Sequence, residues 1–313
     1  MEIVDQIRTE CARVAGAATH VRINHDRIPD YGRSLQQQRS PAERSLAQQK
    51  PAVRLGGLAR ERAAAYWLTL NSVNFGSGWF PTLLKMPGMT GYRTIKAGID
   101  RRFKDDGPWG AQKLQRITMA EISTLMMQQP DHPLMPLFKA SMRDLGAHIE
   151  TDFDGHFTNV IEAAGQHAVQ LVEMLGTWEC FADVSQYQGR DVPFLKRAQI
   201  AAADLQRAGA ASWTDVDRLT LFADNLVPHV LRLDGILSFD DALLEQIAQQ
   251  QLIEHGSSQE VEYRACALHA VELIADATDR ALSPAVIDEL LWNRGQQTHY
   301  KAVPRPRSRS TAY

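Results

Sequence analysis

The segment Leu221-Phe222-Ala223-Asp224-Asn225-Leu226-Val227-Pro228 decides how the sequence is interpreted, because it sets one carboxylate between two helix-forming segments. Thr214, followed three residues later by an aspartate, has capping-box spacing and predicts a helix that ends near Asn225. Pro228 disfavours helical geometry in the residue before it, so a new helix should begin there. We therefore expect Asp224 at a helix–turn–helix corner, where its side chain can point into a cleft.

Two further helices are predicted on either side of this corner. Asp191-Val192-Pro193 combines a capping residue with an early proline, so a helix is expected to begin there and to carry an apolar stripe as far as Leu205. Val227-Pro228 begins another helix, which Asp234-Gly235 ends. Residues 191–235 are thus predicted to form three helices around one acidic side chain.

The rest of the chain shows helical rather than strand periodicity. A glutamine-rich polar connection is expected over residues 36–50, and only residues 21–23 are expected to be extended. Helices are predicted over residues 1–20, 60–74, 91–103, 118–126, 137–149 and 157–174, then after Ser238, after Ser257 and from Ser283-Pro284 to Trp292. We therefore predict an all-α fold, with one helical domain over residues 51–313 and a loosely attached N-terminal segment over residues 1–50.

Composition excludes several classes of protein. The chain has 313 residues, of which 44% are hydrophobic and 23% charged, as in an ordinary globular protein. Its net charge of −3 argues against a general nucleic-acid binder. Three widely separated cysteines indicate reduced thiols, and neither a secretory signal nor a membrane-spanning run is apparent. A cytoplasmic location is expected, while the oligomeric state stays open.

Common catalytic and metal-binding motifs are absent from the sequence. It contains no GxxxxGK[ST], GxGxxG, HExxH, CxxC or GxSxG pattern. His148, His156 and His167 fall in a predicted helical region, and because metal spacing needs supporting carboxylates or cysteines they are interpreted as core or surface histidines. We predict no metal site.

Each remaining candidate residue also has a purely structural interpretation. Asp224 alone could be a helix-terminal residue that hydrogen-bonds the turn, and Lys196-Arg197 a solvated helix face. Phe222 and Trp79 are each more typical of a core than of a base-stacking platform. The tail arginines, Arg305, Arg307 and Arg309, are equally consistent with a disordered end. No single residue decides between these interpretations.

Several segments taken together, in their order along the chain, are more specific. They are Val192-Pro193-Phe194-Leu195-Lys196-Arg197-Ala198-Gln199-Ile200, Leu219-Thr220-Leu221-Phe222-Ala223-Asp224, Val227-Pro228-His229-Val230-Leu231-Arg232, Glu260-Val261-Glu262-Tyr263-Arg264-Ala265, Leu290-Leu291-Trp292 and the end from Arg307-Ser308-Arg309 to Tyr313. In this order they resemble the queuosine salvage proteins, which are queuosine 5′-phosphate N-glycosylases. The resemblance extends from about Phe181 to the C-terminus and is weaker over Thr19–Asn24 and Asn74–Trp79.

The resemblance implies a helical fold akin to that of DNA glycosylases, with no metal or organic cofactor. It implies that Asp224 is the catalytic carboxylate and that Phe222 helps to hold the base. The expected substrate-binding set is completed by Asp288, Glu289 and Asn293 on the last long helix, by Lys196 as a cation for the phosphate, and by His20, Ser77, Gly78 and Trp79. The expected partner is a small modified nucleotide rather than a nucleic acid or a membrane.

These residue types suit the cleavage of an N-glycosidic bond. Positive charge develops on the sugar in the transition state, and an ionised Asp224 would stabilise it. Asp288 could accept the N–H donors of a guanine-like base, and Glu289 could balance the ammonium group of queuine. The chain departs from the family pattern at Asn225, Leu226, Glu289 and Asn293, so a glycosylase for another modified nucleotide and an inactive helical binding protein stay open as alternatives.

Overall fold

The computed structural model describes residues 1–40, 43–46 and 57–313, and these form a single, predominantly α-helical domain. The helices are α1 (Ile3–Ala17), α2 (Ile28–Gln37), α3 (Gly57–Ser72), α4 (Gly91–Asp106), α5 (Ala111–Gln115), α6 (Met119–Met126), α7 (Leu134–Asp152), α8 (Phe157–Ala163), α9 (Ala168–Gly176), α10 (Lys196–Arg207), α11 (Leu226–Leu233), α12 (Asp241–Ala248), α13 (Ser258–Asp276), α14 (Pro284–Arg294) and α15 (Thr298–Lys301). The strands are β1 (Val21–Ile23), β2 (Val184–Tyr187), β3 (Arg190–Pro193) and β4 (Leu237–Phe239). The prediction of a mainly helical domain is confirmed, whereas the likeness to DNA glycosylases stays a prediction.

Several helix starts follow from their capping residues. Thr118 and Glu121 form a complete capping box at α6, and the Ser257 side chain accepts a hydrogen bond from the Glu260 backbone N–H at α13. Pro284 occupies the first turn of α14, where its missing N–H costs nothing. These predicted starts are confirmed because the interactions that define them are local.

Helix α13 lies at the centre of the domain and is buried on nearly every side. Helix α1 packs along it through Val4, Ile7, Cys11 and Val14, none of which is exposed. The predicted loose attachment of the N-terminal segment is therefore wrong for α1, which buries a full apolar stripe against the core. The predicted boundary at residue 50 lies outside the described residues and stays a prediction.

The described part of the polar connection is also anchored. The Leu46 side chain is buried, and its backbone N–H donates to Asp217 Oδ1 at 2.8 Å. The Ser283 backbone N–H donates to the Arg44 carbonyl at 3.0 Å. Residues 43–46 thus lie against the start of α14.

Two short antiparallel strand pairs accompany the helices, and the extended segment expected at residues 21–23 is confirmed as β1. β1 pairs with β4, and β2 pairs with β3 through a two-residue turn in which Gln188 and Gly189 both have positive φ. The predicted helix start at Asp191 is therefore wrong, because these residues form β3, whereas the helix predicted to run as far as Leu205 is confirmed. Helix α10 begins at Lys196 instead, after Leu195 in the left-handed region.

The helix predicted between Thr214 and Asn225 is also wrong. Only a 3₁₀ turn forms, at Val216–Arg218, and the chain then runs extended to Asp224. The Thr214 hydroxyl donates to the Gln166 carbonyl at 3.0 Å instead of capping a helix. Buried Gln199 accepts a hydrogen bond at 2.8 Å from the Thr220 backbone N–H, which holds the extended segment against α10.

Three smaller differences have local causes. The helix predicted over residues 157–174 is divided into α8 and α9 at Gly165, whose φ is +60°. Asp240, not Ser238, caps α12, since Ser238 pairs in β4. The tail is packed rather than disordered, with Ser308, Ser310 and Tyr313 buried. Among the described residues, no helix is long and apolar enough to cross a bilayer.

Candidate functional site

A cavity of about 760 Å³ opens between α4, α10, α14 and the C-terminal tail. Its volume is within the range of pockets that bind small molecules. Six of the residues predicted from the sequence border it, namely Ser77, Lys196, Phe222, Asp224, Asp288 and Glu289. The fold thus brings together segments that lie more than two hundred residues apart in the chain.

Asp224 is fixed at the N-terminus of α11. Its Oδ1 accepts hydrogen bonds from the backbone N–H groups of Leu226, at 2.7 Å, and Val227, at 3.1 Å. Its Oδ2 accepts no hydrogen bond from any residue in the described ranges. The positive end of the helix dipole favours an ionised carboxylate there. One oxygen is therefore used to hold the side chain and the other is left for a ligand in the cavity.

Lys196 lies beside this carboxylate, at the first position of α10. Its backbone N–H donates to Asp183 Oδ2 at 3.1 Å, and its Nζ donates to the Asn74 carbonyl at 3.3 Å. Burial lowers the pKa of Lys196 to about 8, against the opposing effects of the Asp224 and Asp288 charges. Lys196 is thus a buried cation rather than part of a solvated face.

Asp288 completes an acidic pair with Asp224. It is on α14, with only 8% of its surface exposed. Burial, and then the nearby Asp224 charge, raise the pKa of Asp288 well above its usual range, although Lys196 and Arg207 oppose the shift. Two carboxyl groups in different environments are the arrangement that glycosidases use for separate roles.

A buried ion pair between Arg264 and Asp183 fixes the backbone next to both Lys196 and Asp224. Arg264 Nη2 donates to Asp183 Oδ1 and Oδ2, at 3.0 and 2.7 Å, and to the Ala223 carbonyl at 3.0 Å. Asp183 in turn holds the backbone at Lys196, while Ala223 precedes Asp224. Sequence analysis missed the role of this pair, although an arginine within an otherwise apolar stretch of α13 is a signal for a buried partner.

The aromatic side chains around the cavity differ in part from those predicted. Phe222 borders it as expected, whereas Trp79 lies beneath the Arg309 guanidinium, 5.8 Å from its ring centroid, and does not line the cavity. The rings of Tyr92 and Trp292 do line it, and they meet edge to face at 6.3 Å. Because α4 and α14 are distant in sequence, no local pattern indicated this pair.

The C-terminal tail forms another wall of the cavity, through Pro304, Arg305, Arg307 and Tyr313. The Gly76 backbone N–H donates to the Tyr313 carbonyl oxygen at 2.9 Å. The tail therefore closes over the glycine-containing turn that precedes the site.

A sequence model described as that of the queuosine salvage proteins matches residues 57–313. The chain belongs to the queuosine salvage protein family. Family members include a Sphaerobacter thermophilus protein named queuosine 5′-phosphate N-glycosylase/hydrolase, which is 34% identical over 266 residues, covering 81% of this chain and 82% of that protein. Proteins of the same name from Bos taurus and Mus musculus are 28% and 29% identical and each cover 72% of both chains. The family resemblance seen in the sequence is confirmed.

Glu289, expected in this family to bind the base, is already paired. Its Oε1 is 2.9 Å from Arg39 Nη2, and its Oε2 is 3.4 Å from Arg207 Nη2. Its charge is therefore balanced by two arginines, one of which comes from the segment that precedes the match to the family. This carboxylate forms a fixed part of the cavity rim rather than a free counter-charge.

The remaining expected residues lie away from the cavity lining. Asn293 is exposed on α14, and His20 contacts Asp240 Oδ2 through Nδ1 at 2.6 Å. A Cβ at Gly78 would lie 2.2 Å from the Ser308 carbonyl oxygen, so this glycine permits close packing of the tail. These three residues therefore do not border the cavity, and their role in substrate binding stays a prediction. No cluster of potential metal ligands is present in the part of the chain that the structure describes.

Proposed function

We propose that this protein hydrolyses the N-glycosidic bond of queuosine 5′-phosphate and releases queuine. The names of its relatives support this substrate. The observation that carries the proposal is the position of Asp224, with one oxygen held by α11 and the other facing a nucleotide-sized cavity. Such a carboxylate can face a sugar carbon without further movement.

Asp224 stabilises the charge that forms on the sugar. As the bond between C1′ and the base nitrogen breaks, its electron pair leaves with the base, and C1′ acquires oxocarbenium character. A preorganised carboxylate in a partly desolvated site stabilises such charge strongly. A water molecule then adds to C1′ and gives its proton to Asp224, which passes it to solvent.

Asp288 supplies the proton that the departing base requires. Queuine has carbon at the ring position where purines are usually protonated, so the proton goes to another heteroatom of the base. The raised pKa of Asp288 favours its protonated form, and that carboxyl group can donate to this atom and recover a proton from solvent afterwards. Phe222 and the Tyr92–Trp292 pair provide apolar faces for the flat base.

The test is base release from queuosine 5′-phosphate, queuosine and guanosine monophosphate, followed by chromatography. The Asp224→Asn variant keeps an oxygen acceptor for α11 but loses its charge, and it should lower kcat by about 1,000-fold. Asp240→Asn is a matched control, because Asp240 also caps a helix, at α12, but lies outside the cavity. Near-normal turnover by Asp224→Asn would exclude the proposed role.

A glycosylase for a different modified nucleotide is the second candidate. The pairing of Glu289 with Arg39 and Arg207 favours it, because the expected counter-charge for the ammonium group of queuine is occupied. The same assay separates the two: release from guanosine monophosphate at a rate similar to that from queuosine 5′-phosphate supports a broader specificity.

A cytoplasmic location belongs to the same proposal. Cys11, Cys180 and Cys266 are all free and buried. Unpaired thiols are typical of proteins in a reducing compartment. Location can be checked by fractionation of cells that express the tagged protein.

A further inference from the structure

Arg305 on the C-terminal tail borders the cavity and brings a positive charge to it. Its side chain is partly buried, and it forms no hydrogen bond or ion pair with any residue in the described ranges. Burial lowers the pKa of Arg305, and the Asp224 carboxylate opposes that effect. An unpaired guanidinium is costly to bury, and such a group usually has a ligand as its partner.

The neighbouring tail arginines differ from it. Arg307 Nη2 donates to the Gln250 carbonyl at 2.6 Å. Arg309 is exposed and lies over the Trp79 ring, outside the cavity. Of the three arginines, which are alike in sequence, Arg305 is the one that borders the cavity without a protein partner.

The tail backbone on either side of Arg305 is held in place. Asn225 Nδ2 donates to the Pro306 carbonyl at 2.8 Å, and Arg232 Nη2 donates to the Pro304 carbonyl at 3.4 Å. The Ile253 backbone N–H donates to the Arg307 carbonyl at 2.8 Å. Asn225 directly follows Asp224, so one short segment carries the proposed catalytic group and also positions the guanidinium. A preorganised arginine loses little freedom when it binds.

The charges around Asp224 favour an anion. The raised pKa of Asp288 favours its uncharged form, so Lys196 and Arg305 together carry more positive charge than the two carboxyl groups carry negative charge. Lys196 is deep in the site, next to both carboxyl groups, whereas Arg305 is on the tail. A ligand with a nucleoside at the acidic pair and a dianion towards the tail would balance this excess.

We propose that Arg305 binds the 5′-phosphate of the substrate and that Asn225 is the positioning residue that holds it there. This inference rests on the proposed function for the nucleoside part of the ligand, and it assigns the phosphate to the tail rather than to Lys196. Arginine suits this role because its planar fork can donate two parallel hydrogen bonds to phosphate oxygens.

Kinetics with and without the phosphate test the assignment. Arg305→Gln should raise KM for queuosine 5′-phosphate by about 10- to 100-fold, the range expected for loss of a charged hydrogen-bond donor. KM for queuosine, which has no phosphate, should be unchanged. Arg309→Gln is the matched control and should leave both values unchanged. Equal losses on the two substrates, or no loss on queuosine 5′-phosphate, would overturn the assignment.

Two further variants distinguish binding from general damage. Arg305→Lys keeps the charge and should recover part of the affinity for queuosine 5′-phosphate. Asn225→Ala releases the tail carbonyl and should raise KM for the same substrate by less than Arg305→Gln does, with kcat retained. A fall in kcat alone, with KM unaffected, would remove Asn225 from the proposal.

A binding measurement separates this proposal from the proposed reaction. Ribose 5-phosphate, but not ribose, should raise the thermal unfolding midpoint of the wild-type and Arg309→Gln proteins, since a ligand stabilises the state that it binds. The Arg305→Gln protein should show no such increase. If ribose 5-phosphate stabilises the proteins in this way but no base is released from queuosine 5′-phosphate, the phosphate site is supported and the proposed reaction is rejected. Equal stabilisation of all three proteins, or of none, would reject the site.

Discussion

Two groups of buried charges lie side by side in this protein and differ in how fully they are satisfied. In the first, Arg264 contacts Asp183 and Glu260, donates to a backbone carbonyl, and lies 3.9 Å from the Phe194 ring centroid. In the second, the Lys196 ammonium donates to one backbone carbonyl, while Asp224 and Asp288 face an open cavity. The first group has no capacity left for a ligand, whereas the second has partners missing on its cavity side.

This difference separates a structural role from a chemical one. A fully paired buried charge fixes the backbone around it, and removing one partner leaves the other uncompensated. An incompletely paired charge costs stability in the free protein, and sites that bind or react tend to retain such groups. Because Arg264 and Asp183 hold the backbone beside Asp224 and Lys196, the first group supports the second.

Removing Arg264 from the fully paired group of buried charges should have the largest effect on stability. Arg264→Leu removes the cation that pairs with the buried carboxylates of Asp183 and Glu260, so the free energy of unfolding should fall by about 3–5 kcal/mol. Urea denaturation measures the change. The control is Arg33→Leu, which removes only the exposed pair with Asp30 and should leave the urea midpoint unchanged. If Arg264→Leu lowers the free energy of unfolding no more than the control does, the Arg264 ion pairs do not stabilise the fold as proposed.

Neutralising Lys196, the incompletely paired cation, should lower activity without lowering stability. Lys196→Met should lower kcat/KM by about 100-fold, while the free energy of unfolding stays the same or rises because a desolvation cost is removed. The adjacent Arg197 offers a matched contrast, since its guanidinium donates to the carbonyls of Ser72 and Ala312. Arg197→Met should therefore lower stability. Similar losses of stability in Lys196→Met and Arg197→Met would show that the two cations do not differ in structural role.

Two tryptophans extend the comparison, because Trp292 lines the cavity whereas Trp79 is buried outside it. Trp292→Ala should raise KM by about 10-fold, because it removes a face against which a base can stack. Trp79→Ala should instead lower the free energy of unfolding by about 3–5 kcal/mol, as expected for a buried ring outside the cavity. Steady-state kinetics and urea denaturation of both variants check this. An unchanged KM in Trp292→Ala would place the base elsewhere.

The smallest expected effect is a dependence on pH. The pKa of Lys196 is lowered to about 8, so the side chain is charged below that pH and loses its charge above it. If the cation is needed, kcat/KM should fall about four-fold between pH 7 and pH 8.5. Lys196→Arg keeps its charge over this range and should abolish the decrease. A decrease that persists in Lys196→Arg must come from another group.

The parts of the fold that were predicted correctly depend on neighbouring residues. The capping box at Thr118, the cap at Ser257 and the proline at the start of α14 were recognised because each interaction spans at most one helical turn. The predicted helix start at Asp191 and the predicted helix after Thr214 were wrong for the converse reason. β3 is held by its pairing with β2, and the segment after Thr214 is held by Gln199 and Gln166, which local spacing does not reveal.

By itself the sequence determined the helical class, the family, and the position of Asp224 next to a helix start. These follow from short-range periodicity and from an ordered set of motifs. Only the tertiary structure decided that the pKa of Asp288 is raised, that Glu289 is already paired, that Tyr92 and Trp292 line the cavity, and that Arg305 borders the cavity without a hydrogen-bond or ion-pair partner among the described residues. The physical reason is that burial and unmatched charge are properties of an environment assembled from distant segments, so they exist only after the chain has folded.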